Sequence, residues 1–198
     1  MIAIVNYQAS NLRSVKKALD FLGYESEITT DPAAVRRAGK IILPGVGHFA
    51  ATEQLTRTGL RDAISECVQR GTPFLGICVG LQWMFDASEE APQTLGLALF
   101  SGMCKRFPAG AKVPHVGWNS LDMTRPSRLL AGIAPGAFVY YTHSYRAPVA
   151  EGTVATTDYE GPFTAVVERD NVFGVQFHPE KSSETGLRIL KNFGDLKC

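Results

Sequence analysis

Apolar residues along this 198-residue chain follow two rhythms that alternate. Short, nearly unbroken apolar runs read as buried strands over residues 1–6, 40–43 and 73–77. Between them apolar positions recur every three or four residues, the spacing of one helix face. Leu12, Val15, Ala18, Leu19 and Leu22 form one such face, with Ser10 as expected N-cap and Gly23 as stop. Residues 24–29 alternate weakly and read as a further strand. Asp31-Pro32 has the form of a helix start, with Asp as cap and Pro at the first helical position. Leu55, Leu60, Ile64 and Val68 mark a helical region over about residues 49–70, and residues 81–85 read as a helix after the 73–77 strand. This β-α-β-α order predicts an α/β fold, with a mostly parallel central sheet and helices on both faces.

The second half is richer in strands, with candidates at residues 97–100, 138–141, 153–157, 163–169 and 172–177. Asp170-Asn171 suggests a tight hairpin turn. A last helix is expected from about residue 183 to 193, on Leu187, Ile189, Leu190 and Phe193. The expectation is an antiparallel, strand-rich addition to a single domain spanning residues 1–198, since no repeat, low-complexity stretch or long linker divides the chain.

Bulk properties narrow the function. Hydrophobic residues make up 45% and charged residues 20%, ordinary for a soluble globular protein. A net charge of +1 argues against a nucleic-acid or membrane footprint. No apolar run is long enough to cross a bilayer, and the apolar start reads as a first strand rather than a signal peptide. Cysteines at 67, 78, 104 and 198 form no C-x-x-C pair and no disulfide-like framework, which fits a reducing cytosol. The expected localisation is cytoplasmic.

The densest chemical signal is Gly76-Ile77-Cys78-Val79-Gly80, between the 73–77 strand and the following helix. A cysteine at a strand-to-helix turn, with glycine at minus two and plus two, has the build of a nucleophile elbow. A side chain at either glycine would strike the neighbouring strand or helix. The turn lifts the sulfur clear of the sheet and sets it at a helix N-terminus, where unpaired N–H groups favour thiolate. An isolated cysteine is usually buried and inert; the glycine pair and the setting oppose that reading here.

Of His48, His115, His143 and His178, only His178 has the right neighbours. It ends the 172–177 strand, and reactive groups of open parallel sheets gather at carboxyl ends of strands. Pro179 keeps His178 extended, so Glu180 lies on the same side and can orient the imidazole. Taken alone, each would read as a structural histidine and a surface charge. An oxyanion would find donors in the Val79 N–H and in Pro44-Gly45-Val46-Gly47, where glycine on both sides of Val46 leaves room and lets the intervening peptide rotate. Gly45-Val46-Gly47-His48-Phe49-Ala50 also fits the dinucleotide pattern G-x-G-x-x-A, but it follows the third strand rather than the first. No H-E-x-x-H and no clustered Cys/His spacing calls for a metal. Trp118 reads as core or, if exposed, as an interface anchor.

These motifs together resemble the triad glutamine amidotransferases. The matching pieces are Pro44-Gly45-Val46-Gly47, Gly76-Ile77-Cys78-Val79-Gly80-Leu81-Gln82 and Gly174-Val175-Gln176-Phe177-His178-Pro179-Glu180. Within that family, Asn6-Tyr7, Asn11, residues 112–119, Tyr141-Thr142-His143-Ser144-Tyr145 and Lys181-Ser182 resemble the glutaminase subunits of imidazole glycerol phosphate synthases. The resemblance implies a cysteine–histidine–glutamate triad of Cys78, His178 and Glu180, and an oxyanion hole from Val79, Val46 and Gly47. It implies substrate contacts by Gly45, Gln82, Ser144 and Tyr145, with no cofactor and no metal. It further implies a separate (βα)₈-barrel cyclase partner fed with ammonia for histidine biosynthesis, with Asn11, Trp118 and Lys181 at the interface. Val79 and Leu81 stand where the family often has Leu and Met; Val79 would act through its backbone. Competing expectations are the glutaminase of an anthranilate, aminodeoxychorismate or pyridoxal phosphate synthase, a catalytically idle binding subunit, and, more distantly, a dinucleotide-binding oxidoreductase.

Overall fold

A computed structural model of the chain describes residues 1–8 and 11–197; the expected cap Ser10 and Cys198 lie outside the described residues. The first half alternates as its pattern predicts. Strands β1 (Ile2–Val5), β2 (Ser26–Thr29), β3 (Lys40–Gly45) and β4 (Phe74–Cys78) are separated by helices α1 (Leu12–Phe21), α2 (Pro32–Arg37), α3 (Glu53–Arg57) and α4 (Leu60–Gln69). The Asp31 carboxylate accepts the Ala33 and Ala34 N–H groups at 2.8 and 3.2 Å, a cap of about 1 kcal/mol. After β4 come α5 (Val79–Gln82), β5 (Ala87–Ser88), β6 (Met103–Arg106), β7 (His115–Ser120), β8 (Asp122–Met123), β9 (Phe138–His143) and β10 (Tyr145–Arg146). β11 (Thr153–Asp158), β12 (Pro162–Arg169), β13 (Val172–Val175) and α6 (Ser183–Gly194) complete the chain.

The main sheet has eight strands in the order β2-β1-β3-β4-β13-β12-β11-β8. The pairs from β2 across to β13 are parallel and those from β13 to β8 antiparallel. Asp170, at φ 52, turns the β12–β13 hairpin as expected. The consequential placement is β13, last in the chain but beside β4, with Val175 opposite Ile77. On the other side of β4, Gly45 pairs with Cys78. Three chain segments distant in sequence thus bring their carboxyl ends together at the middle of the sheet.

Four local expectations are corrected. Residues 97–100 form no strand and the 81–85 helix stops at Gln82, for one shared reason. The carbonyls of Trp83, Met84 and Phe85 are taken by the N–H groups of Leu97, Leu99, Phe100 and Ala98, so the two segments satisfy each other. Gly96 permits the approach, since a Cβ there would sit 1.8 Å from the Phe85 carbonyl oxygen. The 49–70 helical region opens as a 3-10 turn and is cut at Gly59, whose φ of 74 no continuous helix tolerates. Pro44 and Gly45, expected in a loop, close β3, and the loop begins at Val46. The small β10-β6-β5 sheet and the β7–β9 ribbon carry much of the second half.

Candidate active site

Cys78 ends β4 at φ 55 and ψ −108, a conformation far from strand or helix. The flanking glycines leave no room for a side chain. A Cβ on Gly76 would lie 2.4 Å from the Gly80 carbonyl oxygen, and one on Gly80 would lie 2.0 Å from that of Leu43. Strand, turn and α5 therefore interlock as an elbow, with Cys78 at the helix start. Val79 and Gly80 open α5, so their N–H groups have no partner within the helix.

The sulfur borders a cavity of about 220 Å³. Val46, Gly47, Cys78, Val79, Gln82, Ser144 and Tyr145 all line it, from three separate stretches of sequence. Gly45 does not line it. It lies beneath, where a Cβ would meet the Tyr7 hydroxyl at 2.5 Å and Val79 Cβ at 2.7 Å, so its part is to let β3 approach the elbow. Sequence reasoning gave no site role to four further lining residues, Glu90, Pro114, Thr142 and His143. Glu90 adds a carboxylate that also accepts the Phe49 N–H at 2.7 Å. Only its place in the acidic Ser88-Glu89-Glu90 turn could have drawn notice.

His178 is held at its backbone first. Its N–H donates to the Tyr140 carbonyl at 2.9 Å, and its own carbonyl accepts from the Ser182 hydroxyl at 2.6 Å. Nδ1 then meets Glu180 Oε1 at 2.8 Å, with both side chains fully buried. Among the described residues, His178 Nε2 and Glu180 Oε2 have no hydrogen-bond partner. The imidazole–carboxylate arm is closed, and the arm toward sulfur is not hydrogen-bonded. Burial works against a charged ring, but the neighbouring Cys78 sulfur and the Glu180 carboxylate outweigh it and raise the His178 pKa to about 10. The arrangement can store a proton on Nε2 beside the Cys78 sulfur.

The three residues expected at an interface separate. Trp118 is 52% exposed on β7, and Lys181 is exposed. Asn11 instead turns inward. It sits at φ 78 at the start of α1, and its Nδ2 donates to Glu180 Oε1. Among the described residues no group of three or more His, Cys, Asp or Glu side chains is arranged to hold a metal.

Residues 3–195 match the profile of glutamine amidotransferase class-I, and the chain belongs to that family. A solved structure titled as a glutamine amidotransferase shares the fold, with a TM-score of 0.76 at 18% identity over 98% of both chains. Nearer relatives narrow the class. The imidazole glycerol phosphate synthase subunit HisH of Moorella thermoacetica is 52% identical over 98% of this chain and 94% of that protein. The HisH subunit of Caldanaerobacter subterraneus subsp. tengcongensis is 47% identical over the full length of both. Among the amidotransferases, the chain therefore groups with the HisH subunits.

Proposed function

We propose that this chain hydrolyses L-glutamine to L-glutamate and ammonia at Cys78 and supplies the ammonia to a (βα)₈-barrel cyclase subunit, which makes imidazole glycerol phosphate and an aminoimidazole carboxamide ribonucleotide in histidine biosynthesis. The observation that carries the reading is the elbow cysteine bordering a cavity beside a buried imidazole–carboxylate pair.

The Cys78 thiolate attacks the side-chain amide carbon, and the carbonyl electrons move onto oxygen. The Val79 N–H and the Val46–Gly47 loop are the donors for that oxyanion. His178, protonated on Nε2, gives its proton to the departing nitrogen, and ammonia leaves a γ-glutamyl thioester on sulfur. Nε2 then takes a proton from water, whose oxygen attacks the thioester. The second oxyanion collapses, expels thiolate and yields glutamate. Glu180 keeps Nδ1–H engaged, so the reactive nitrogen is always Nε2. At the cavity wall, Gln82 and the Glu90 carboxylate suit the α-ammonium group of the substrate, and the Ser144–Tyr145 turn suits its carboxylate. The likeness to HisH subunits favours this synthase over anthranilate, aminodeoxychorismate or pyridoxal phosphate partners, and the elbow cysteine beside the His178–Glu180 pair weighs against an idle binding role.

The β7–β9 ribbon suits the partner surface. Val116, Trp118 and Phe138 are 56%, 52% and 59% exposed on one face, with Trp118 in register with Tyr140. A free glutaminase would waste glutamine, so activity is expected to depend on the partner. Ammonia release, measured for the chain alone and with the cyclase and its nucleotide, should rise sharply in the complex. Equal rates would count against coupling, and no release in either case would remove the glutaminase reading. The reading treats residues 1–198 as one amidotransferase domain in the cytoplasm; among the described residues no helix is long and apolar enough to cross a membrane.

A further inference from the structure

One backbone carbonyl sets the polarity of two buried amides. The Tyr145 oxygen can only accept, and Gln82 Nε2 lies 2.9 Å from it. That contact fixes which end of the Gln82 amide is nitrogen. The second N–H of the same nitrogen meets Gln176 at 3.1 Å, so the Gln176 atom facing it must be Oε1. Gln176 Nε2 is thereby turned onto Cys78 Sγ, 3.6 Å away. Flipping either amide would set donor against donor or acceptor against acceptor. Gln82 and Gln176 are 2% and 0% exposed, so bulk water is not at hand to repair the mismatch.

The carbonyl is itself held from behind. His143 Nδ1 donates to it at 2.9 Å, and His143 Nε2 accepts from His115 Nδ1 at 3.1 Å. Burial keeps both rings neutral, which preserves this direction of donation. Gln176 also extends β13 just past the pairing of Val175 with Ile77, so the sheet register delivers it beside Cys78.

We infer that Gln176 is a catalytic residue, whose N–H holds the Cys78 sulfur and favours its anion, at the end of a Tyr145–Gln82–Gln176 relay that starts at the substrate wall. An N–H bond to thiolate is charge-assisted, whereas one to a thiol is weak, so the donor selects the reactive form. The inference rests on Cys78 being the nucleophile. Among the described residues, the other titratable groups around the sulfur and its cavity are His178 and its partner Glu180 after β13, Tyr7 after β1, His143 on β9, Tyr145 on β10 and Glu90 after β5. Substitution at Gln176 alters none of these side chains.

The test is the pH dependence of Cys78 alkylation by iodoacetamide in the full chain, followed at the Cys78 peptide by mass spectrometry. Gln176→Leu should move the profile up by about one pH unit, a tenfold slower reaction on its acid limb. The isosteric Gln176→Glu should move it further, because it sets a carboxylate against the thiolate. A folded Gln176→Glu chain with the wild-type profile overturns the inference. If the Leu variant does not fold, the Glu variant alone decides. Labelling of the wild-type chain with a glutamine-like chloroketone is read separately. A label away from Cys78 would overturn the nucleophile assignment, while the alkylation profiles would still report whether Gln176 acts on the sulfur.

Discussion

Cys78 keeps a backbone conformation that costs an L-residue about 1–3 kcal/mol. Glycine adopts it more readily than alanine, which predicts a reversal of the ordinary order of stability. Cys78→Gly should unfold at higher denaturant than Cys78→Ala, by about 1 kcal/mol, with both variants inactive in glutamine hydrolysis. A more stable alanine variant would mean the elbow is not strained. Asn11 carries a second residue-scale prediction, through its bond to Glu180. Asn11→Gly keeps the positive φ and deletes the donor. Loss of a hydrogen bond to a charged group predicts a fall in kcat of about tenfold or more, with KM little changed. Steady-state glutaminase assays of the complex check it, and an unchanged kcat would leave Asn11 a purely structural or interface residue. The elbow at Cys78 and the contact of His178 with Glu180 were legible because each carries a local signature: glycines two residues either side of the cysteine, and Pro179 between His178 and Glu180. Asn11 was legible as a residue of interest but not in its contact, which joins positions 169 residues apart.

At the scale of elements, the elbow works because β3, β4 and α5 meet closer than side chains allow. Gly80 faces the Leu43 carbonyl so tightly that Gly80→Ala must push β3 and α5 apart. The expected loss is about 1–3 kcal/mol or more, with activity lost through displacement of the Val79 N–H. Urea unfolding together with thiol labelling separates the two effects, and a stable, active alanine variant would contradict the packing. Strand periodicity announced β1 through β4, and the Asp31-Pro32 signature announced α2. Two of the segments misread, 81–85 and 97–100, give their backbone bonds to each other rather than to a ladder or a continued helix. Residues 97–100 are apolar enough for a strand, yet they finish the turn after Gln82.

The whole molecule responds to pH through its buried imidazoles, and their signs differ. His115 and His143 are pushed down to about 4 and about 3 by burial. Below about pH 6.5 the unfolded chain binds protons there that the folded chain refuses. Their contribution is therefore complete above that pH and lost as pH falls toward 4 and 3. His178 is raised to about 10, so its contribution is complete below about 6.5 and lost as pH climbs toward 10. Stability should peak near neutrality and fall on each side, by up to about 1.4 kcal/mol per pH unit for each imidazole. Urea midpoints from pH 5 to 9 measure this, and a flat profile would contradict the buried, neutral pair. Assembly supplies the second prediction at this scale. Trp118→Ala should weaken binding to the cyclase by about 2 kcal/mol or more, read by titration, if the exposed indole is the anchor of the ribbon face.

Pattern and motif by themselves determined the α/β class, the parallel core, the elbow at Cys78 and the pairing of His178 with Glu180, because those depend on spacing within a few residues. Only the tertiary structure decided which strands lie beside β4. That choice joins Gly45, Cys78 and the residues after Val175 at the carboxyl ends of neighbouring central strands, through pairing across long separations in sequence that no local pattern encodes. It also turned Asn11 onto Glu180, brought Glu90 into the cavity wall and aimed Gln176 at the sulfur. Those contacts exist because buried polar groups must find partners wherever the fold has carried them.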